Sequence, residues 1–525
     1  MNLHSHQKAF EPAITLAKSG NFVGARDHML GVNAKFKDCF DFNFYLGSIY
    51  FYLEDWANAV NYLYLSTRYT QKSNSPYFML GRAHLNQEQF TEAVKWLSEA
   101  VRIDNSNPDA HNELGCALVG LQRYNDAISS FDSASALDYG FKDPRNNKGL
   151  ILCKLNLYTE AVKAFQIAVD IDSKLPVLHT NLAMAFQLAG DFSGAMSSLN
   201  QSIQLDPQNN FSKWNKSLLL LLLDRYDEAW PLYELRWRST KANDLRDFKE
   251  PLWLGTESIS GKKIFIHAEQ GFGDVIQCAR FVPLLKSMGA KVTLEVPKEL
   301  HKLMSLIDGV EVTTKNEAHD GYDFHCPVMS LPYAFKTSIN NISTHKYLTN
   351  FSVDKSSVFY KRAHHKNNLI NVGICWSGSD TLGDHYKRSI DLQTIKPLLE
   401  LPVNFHVIQK EIKLDEKNIL EGLGVNCHDD IIHNFFDTAS LIDCMDLVIT
   451  IDTSIAHLSA TLNKNTWVLL PYVPDWRWGL DRKDCPWYLS VSLYRQTLPS
   501  SWIEPLNNVI NDLTKLIAAK GVLSE

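Results

Sequence analysis

The chain has 525 residues, 45% hydrophobic and 21% charged, with a formal net charge of −7. Its length suggests roughly three domains, and its composition is that of an ordinary globular protein rather than a disordered or fibrous one. The acidic balance removes the basic surplus that a nucleic-acid partner would require.

Met1 to Lys8 lack the apolar core of a signal peptide. From there to about residue 240 the chain repeats itself. Alanines fall 34 residues apart at Ala25, Ala59, Ala93, Ala127, Ala161, Ala195 and Ala229. Twelve residues before each stands another small residue: Ala13, Gly47, Gly81, Gly115, Gly149, Ala183 and Ser217. Four residues after most of the alanines stands a large one: Leu63, Leu97, Phe131, Phe165, Leu199 and Tyr233. The spacing predicts helix–turn–helix units, with small residues where two helices cross and large residues filling the gap to the next unit. Stop signals such as Asn107-Pro108 and Asp206-Pro207 separate the units. The six leucines Leu218 to Leu223 fall far short of the ~18 apolar residues that span a bilayer, so no membrane span is expected. The period resembles the tetratricopeptide repeat, which implies a superhelix of about seven units over 1–240 that binds a protein or peptide, or serves as a dimerisation scaffold. Trp230, Trp237 and Arg238 in the last unit point to docking on the next domain.

Residues 241–262, with Pro251, Gly255 and Gly261, read as a surface linker. Strands and helices then alternate, which predicts parallel sheet in two lobes, 263–350 and 351–525, with a ligand cleft between them. The first lobe opens with a buried strand at 263–266, a loop containing Gln270, Gly271 and Gly273, and a helix that begins near Asp274 and Gln277. Two glycines let backbone approach a ligand. Asp274 reads either as a helix N-cap or as a catalytic base. The second lobe repeats the device, with a strand at 371–375 and a loop of Trp376, Ser377 and Gly378. Lys387 and Arg388 follow in a polar loop, where a guanidinium can pair with phosphate or remain a solvated charge. Gln409 and Lys410 follow the next strand on the same carboxyl-end rim. Asp452, Thr453 and Ser454 end the strand 447–452 and begin a helix, an arrangement that suits a phosphate or a plain capped helix. His457, one turn further, faces either ligand or core. Trp467 to Pro471 reads as the last strand, and 501–518 as the closing helix. Trp476 and Trp478 flank Arg477 and can stack on a base or sugar, or plug an interface.

Nine cysteines are scattered singly with no Cys-x-x-Cys pair, which argues against a zinc or redox motif and suits a reducing cytosol. No His, Cys, Asp and Glu spacing makes a divalent-metal site, so no metal and no bound cofactor are expected.

Together EQGFGDVIQCARFVPLL, VGICWSGS, KRSIDL, DTSIAHLSATL and PDWRWGLDRKDCPWY resemble the bacterial TPR-containing glycosyltransferases, whose catalytic half resembles the heptosyltransferases. The resemblance implies a GT-B fold of two Rossmann-like lobes, metal-independent, with the nucleotide sugar held by the second lobe and the acceptor by the first. It implies Asp274 as general base, with Gln270, Gly271, Gly273 and Gln277 in the acceptor loop. It implies donor contacts from Trp376, Ser377, Gly378, Arg388, Gln409, Lys410, Asp452, Thr453, Ser454 and His457, with Ser454 standing where the family carries glycine. Proteins of this architecture resemble flagellin glycosyltransferases. The expectation is therefore a cytoplasmic protein O-glycosyltransferase that moves a nonulosonic acid such as pseudaminic acid, CMP-activated, to Ser or Thr of flagellin. Two other readings are a glycan-acting, heptosyltransferase-like enzyme of lipopolysaccharide assembly and an inactive TPR adaptor.

Overall fold

In the computed structural model, the described residues are 3–32, 36–69, 73–239, 246–315, 321–343, 347–348, 351–364, 369–378 and 388–520. The chain divides into two units, Met1–Pro207 and Gln208–Glu525.

The first unit is a series of antiparallel helix pairs, from Leu3–Lys18 with Phe22–Gly31 to Pro176–Leu188 with Phe192–Leu205. Each pair is built around its small residue. A Cβ on Gly47, Gly81, Gly115 or Gly149 would lie 2.8, 2.5, 2.4 or 2.7 Å from the side chain of Leu63, Leu97, Phe131 or Phe165. The large residue therefore fills the crossing within its own pair, a correction to its expected place between units. The alanine register is fully buried throughout. A third register was not read from the sequence. The turn inside each pair places one residue in the left-handed region: Gly20, Glu54, Glu88, Gln122, Asn156 and Gly190, again 34 apart. Residues other than glycine are disfavoured there, asparagine least because its short side chain bonds locally, as Asn156 Oδ1 does with the Tyr158 hydroxyl at 2.7 Å. Asp55, Asn107 and Asp191 each cap the N-terminus of the helix that follows them.

The second unit begins with one more pair, Asn210–Leu222 and Tyr226–Tyr233. Two sheets follow. The first contains β1 (Lys263–His267), β2 (Lys291–Val296), β3 (Glu311–Thr314) and β4 (Phe324–Pro327), all parallel, in the order β3-β2-β1-β4. The second contains β5 (Asn371–Cys375), β6 (Asn404–Val407), β7 (Leu447–Ile451), β8 (Thr466–Leu470), β9 (Asp484–Cys485) and β10 (Tyr488–Arg495), in the order β6-β5-β7-β8-β10-β9. Only β9 runs antiparallel there. Every residue of β5 and β7 is buried, so both faces of these strands are covered, as their apolar runs suggest. In both sheets the strand order reverses beside the first strand, at β1/β4 and at β5/β7. Ligands of open α/β sheets sit outside the carboxyl ends at such points.

Two expectations are corrected and one further strand is found. The sheet does not end at Trp467–Pro471, because Tyr488–Arg495 adds a parallel strand against β8. Phe324–Pro327 is also a strand, too short to show a period of its own, and β1 supplies its pairing. The described part of 241–262 is not a surface linker throughout. Trp253 is buried, its backbone N–H donates to the His325 carbonyl at 2.9 Å, and Phe248 stacks on His325 at 4.2 Å. This segment thus extends the edge of the first sheet. Residues 241–245 and Lys387 lie outside the described residues.

Candidate functional site

The loops after β1, β5 and β7 carry most of the predicted site residues. In the first lobe the helix Phe272–Cys278 starts after Gly271, so Asp274 is its third residue and not its N-cap. Its Oδ2 accepts from the Gly271 N–H at 2.8 Å. Its Oδ1 accepts from Arg477 Nη2 of the second lobe. Burial pushes the Asp274 carboxyl up, against the pull of Arg477 and the Gly271 N–H.

Across the seam, Thr453 caps the helix Ser454–Thr461, and its hydroxyl accepts from the Ile455 N–H at 3.3 Å. The two loops meet closely: a Cβ on Gly273 would lie 2.8 Å from His457 Cδ2 and 3.5 Å from Ser454 Cα. Only glycine fits there. His457 therefore faces the seam. It is 5% exposed, its Nδ1 lies 2.9 Å from the Tyr488 hydroxyl, and Trp478 stacks on it at 5.2 Å. Burial and the nearby guanidinium groups of Arg477, Arg280 and Arg388 hold its pKa well below the usual range, so the ring is neutral.

Arg388 donates from Nη1 to the Asp452 carbonyl at 3.1 Å, while its buried Nε has no hydrogen-bond partner among the described residues. Gly378 lies beside both: a Cβ there would meet Thr453 at 3.7 Å and Arg388 Nε at 3.9 Å. Asp452 is half-buried, and its carboxyl is pushed up to about 6, first by burial and then by the neighbouring Asp475.

Other predicted residues serve the scaffold. Trp376 is fully buried in the core of the second lobe. Gln409 Oε1 accepts from the Trp376 and Ser377 N–H groups at 3.0 and 3.2 Å, and its Nε2 donates to the Glu411 carbonyl at 3.0 Å, so it shapes the 376–378 loop from behind. The Ser377 hydroxyl donates to the Gly378 carbonyl at 3.3 Å. Lys410 is exposed. Gln270, with φ 60°, bonds the Tyr233 hydroxyl of the last helix pair through its amide. Gln277 is fully buried and accepts from Arg477 Nε.

Sequence reasoning missed Arg280 and the role of Arg477, both of which cross the seam. Arg280 Nη1 donates to the Trp487 carbonyl at 2.6 Å, and its guanidinium lies 4.5 Å over the Tyr488 ring. The available signal was an arginine set between two tryptophans. Both tryptophans are buried: Trp476 meets Trp230 of the last helix pair at 5.7 Å and Trp487 at 5.8 Å, so it plugs an interface. Glu269 in the β1 loop is also bound, by Arg236 at 2.6 and 2.9 Å.

In the helical unit, Asn147 Nδ2 donates to Asn112 Oδ1 at 3.1 Å and Asn181 Nδ2 to Asn146 Oδ1 at 2.8 Å. These rungs join the first helices of three successive pairs. Leu150 and Met184, three residues after Asn147 and Asn181 and so on the same helix face, are exposed. No group of three His, Cys, Asp or Glu able to hold a metal occurs among the described residues. No helix among them is long and apolar enough to cross a membrane.

Family profiles described as TPR repeat and Tetratricopeptide repeat match residues 81–122, 112–176 and 177–209. Protein FlbA of Caulobacter vibrioides is 24% identical over 339 residues, 58% of this chain. The match takes in 55% of that protein, so the chain spans about half the length of this curated relative. Among solved structures, a crystal structure of MamA is similar at 22% identity and TM-score 0.30, covering 31% of this chain and 95% of that one. YrrB, described as a TPR protein with an unusual peptide-binding site, is similar at 17% identity and TM-score 0.32, covering 36% and 98%. The helical part of this chain thus carries tetratricopeptide repeats, followed by an α/β region with two largely parallel sheets.

Proposed function

We propose that the chain is a metal-independent protein O-glycosyltransferase of GT-B type, with the tetratricopeptide repeats recruiting the acceptor protein. The carrying observation is the meeting of two switch-point loops across the lobe seam: Asp274 on one side, and the Ser454 helix start with His457 on the other. A nucleotide-sugar phosphate placed at Ser454 would meet helix N–H groups and the guanidinium of Arg388, whose Nε has no partner among the described residues. The acceptor hydroxyl oxygen attacks the anomeric carbon, its proton passes to Asp274, and the bond from that carbon to the phosphate oxygen breaks. The leaving phosphate charge is stabilised by Arg388 and the helix start. The asparagine rungs and exposed Leu150 and Met184 suit an acceptor segment bound through polar and apolar contacts. Family resemblance points to flagellin as acceptor and a CMP-activated nonulosonic acid as donor.

The test is the intact mass of flagellin after incubation with the chain and, separately, CMP-pseudaminic acid, UDP-GlcNAc and ADP-heptose. A one-sugar step with a single donor is expected, with Asp274→Asn about 10²–10⁴-fold slower. No step with any donor overturns the reading for this acceptor, as does full activity of a folded Asp274→Asn protein.

A further inference from the structure

We propose that Arg477 is a positioning residue: supplied by the second lobe, it holds Asp274 of the first lobe in the orientation for proton transfer, so the site is complete only while the lobes are shut. This rests on Asp274 being the proton acceptor.

Arg477 is 7% exposed and each guanidinium nitrogen has a separate partner. Nη1 donates to Asp475 Oδ1 at 2.8 Å within its own loop, which fixes the fork before it crosses the seam. Nε donates to Gln277 Oε1 and Nη2 to Asp274 Oδ1. Gln277 lies three residues after Asp274, on the same face of its helix, so one planar fork reaches both. Trp476 supports the guanidinium from 4.4 Å. On the first-lobe side, the Gly271 N–H holds the other carboxylate oxygen. The carboxylate is thus pinned at both oxygens, each keeping a lone pair for a proton. An ammonium cannot reproduce this three-way fork. Arg280 crosses in the opposite direction to Trp487, so the seam is closed by two arginines, only one of which touches Asp274.

The charged groups acting on Asp274 are Arg477, Asp475 and Arg388, with Tyr233 and Cys278 behind it. Loss of Arg477 removes the nearest cation and raises the pH at which the carboxyl ionises.

The experiment compares full-length wild type, Arg477→Gln, Arg477→Lys and Arg477→Ala in sugar transfer across pH. The expected result is a kcat about 10²-fold lower in Arg477→Gln, with donor KM within about threefold. The acidic limb of kcat/KM should move up by about one pH unit. Lysine should not rescue, and added guanidinium ion should restore part of the activity of Arg477→Ala. A wild-type pH limb in Arg477→Gln, or no guanidinium rescue, overturns the assignment. Hydrogen exchange provides a readout independent of transfer: in Arg477→Gln, residues 272–278 and 476–488 should exchange faster together. Unchanged exchange at 272–278 overturns the latch, whereas faster exchange there with no transfer by the wild type means that only the glycosyl-transfer reading has failed.

Discussion

Asp452 shows at the residue scale how burial turns a common carboxylate into a pH-sensitive group. An unfolded aspartate ionises near pH 3.9, whereas the folded Asp452 carboxyl is pushed up to about 6 by burial and by Asp475. The folded state therefore holds this proton more tightly than the unfolded state. Its contribution to stability is complete below about pH 4 and is lost as pH rises through about 6. Thermal melting should show Tm falling between about pH 4 and 6 and levelling off above, and Asp452→Asn, which mimics the protonated group, should remove that part of the slope. An unchanged slope would assign it to another group. The sequence placed Asp452, Thr453 and Ser454 correctly at a strand end because an apolar run that stops at a polar cluster is a local signal. It could not pair Arg477 with Asp274, which lie 203 residues apart.

At the scale of the element, the helix pair is governed by steric fit. Gly115 faces the Phe131 ring so closely that a Cβ would sit 2.4 Å from it. Gly115→Ala must displace a buried aromatic ring, and is expected to cost about 1–3 kcal/mol in chemical denaturation despite the higher helix propensity of alanine. A stabilised variant would show that the ring can move aside freely. The small-residue register was legible because its period is fixed, and a crossing of two helices needs a small residue at the same place each time. The left-handed turn register escaped notice because Glu, Gln and Asn occupy most of it, and only Gly20 and Gly190 carry the usual signal. The strand at Tyr488–Arg495 was missed for a different reason: its pairing with β8 comes from a stretch about twenty residues earlier, across irregular chain.

For the second unit as a whole, buried charge joins the segment just after the last helix pair to the loops of the first sheet. Arg236 and Glu269 are 5% and 4% exposed, and Ser330 and Glu234 complete the network. Arg236→Gln would leave Glu269 buried without its cation, at an expected cost of about 3–5 kcal/mol. Urea denaturation checks this, and Arg236→Gln with Glu269→Gln should recover part of the loss, since only the less buried Glu234 then lacks its cation. Equal losses in the single and double variants would assign the effect to packing. Trp230 adds a second tie, its Nε1 donating to the Thr337 carbonyl at 2.6 Å. The final helix pair repeats the sequence period of the array, yet it belongs with the α/β part because its aromatic face is spent on Trp476 and Trp487.

By itself the sequence determined the repeat array, the alternation of strands and helices, and the loops that hold the candidate residues. These follow from periodicity, turn chemistry and apolar runs, all of which act over a few residues to a few tens. Only the tertiary structure decided that Gln409 and Trp376 support a loop from behind, that His457 faces the seam, and that Arg477 and Arg280 bridge two lobes. Those outcomes depend on which surfaces meet, and the meeting is set by close packing and charge pairing between segments far apart in the chain, for which local spacing carries no signal.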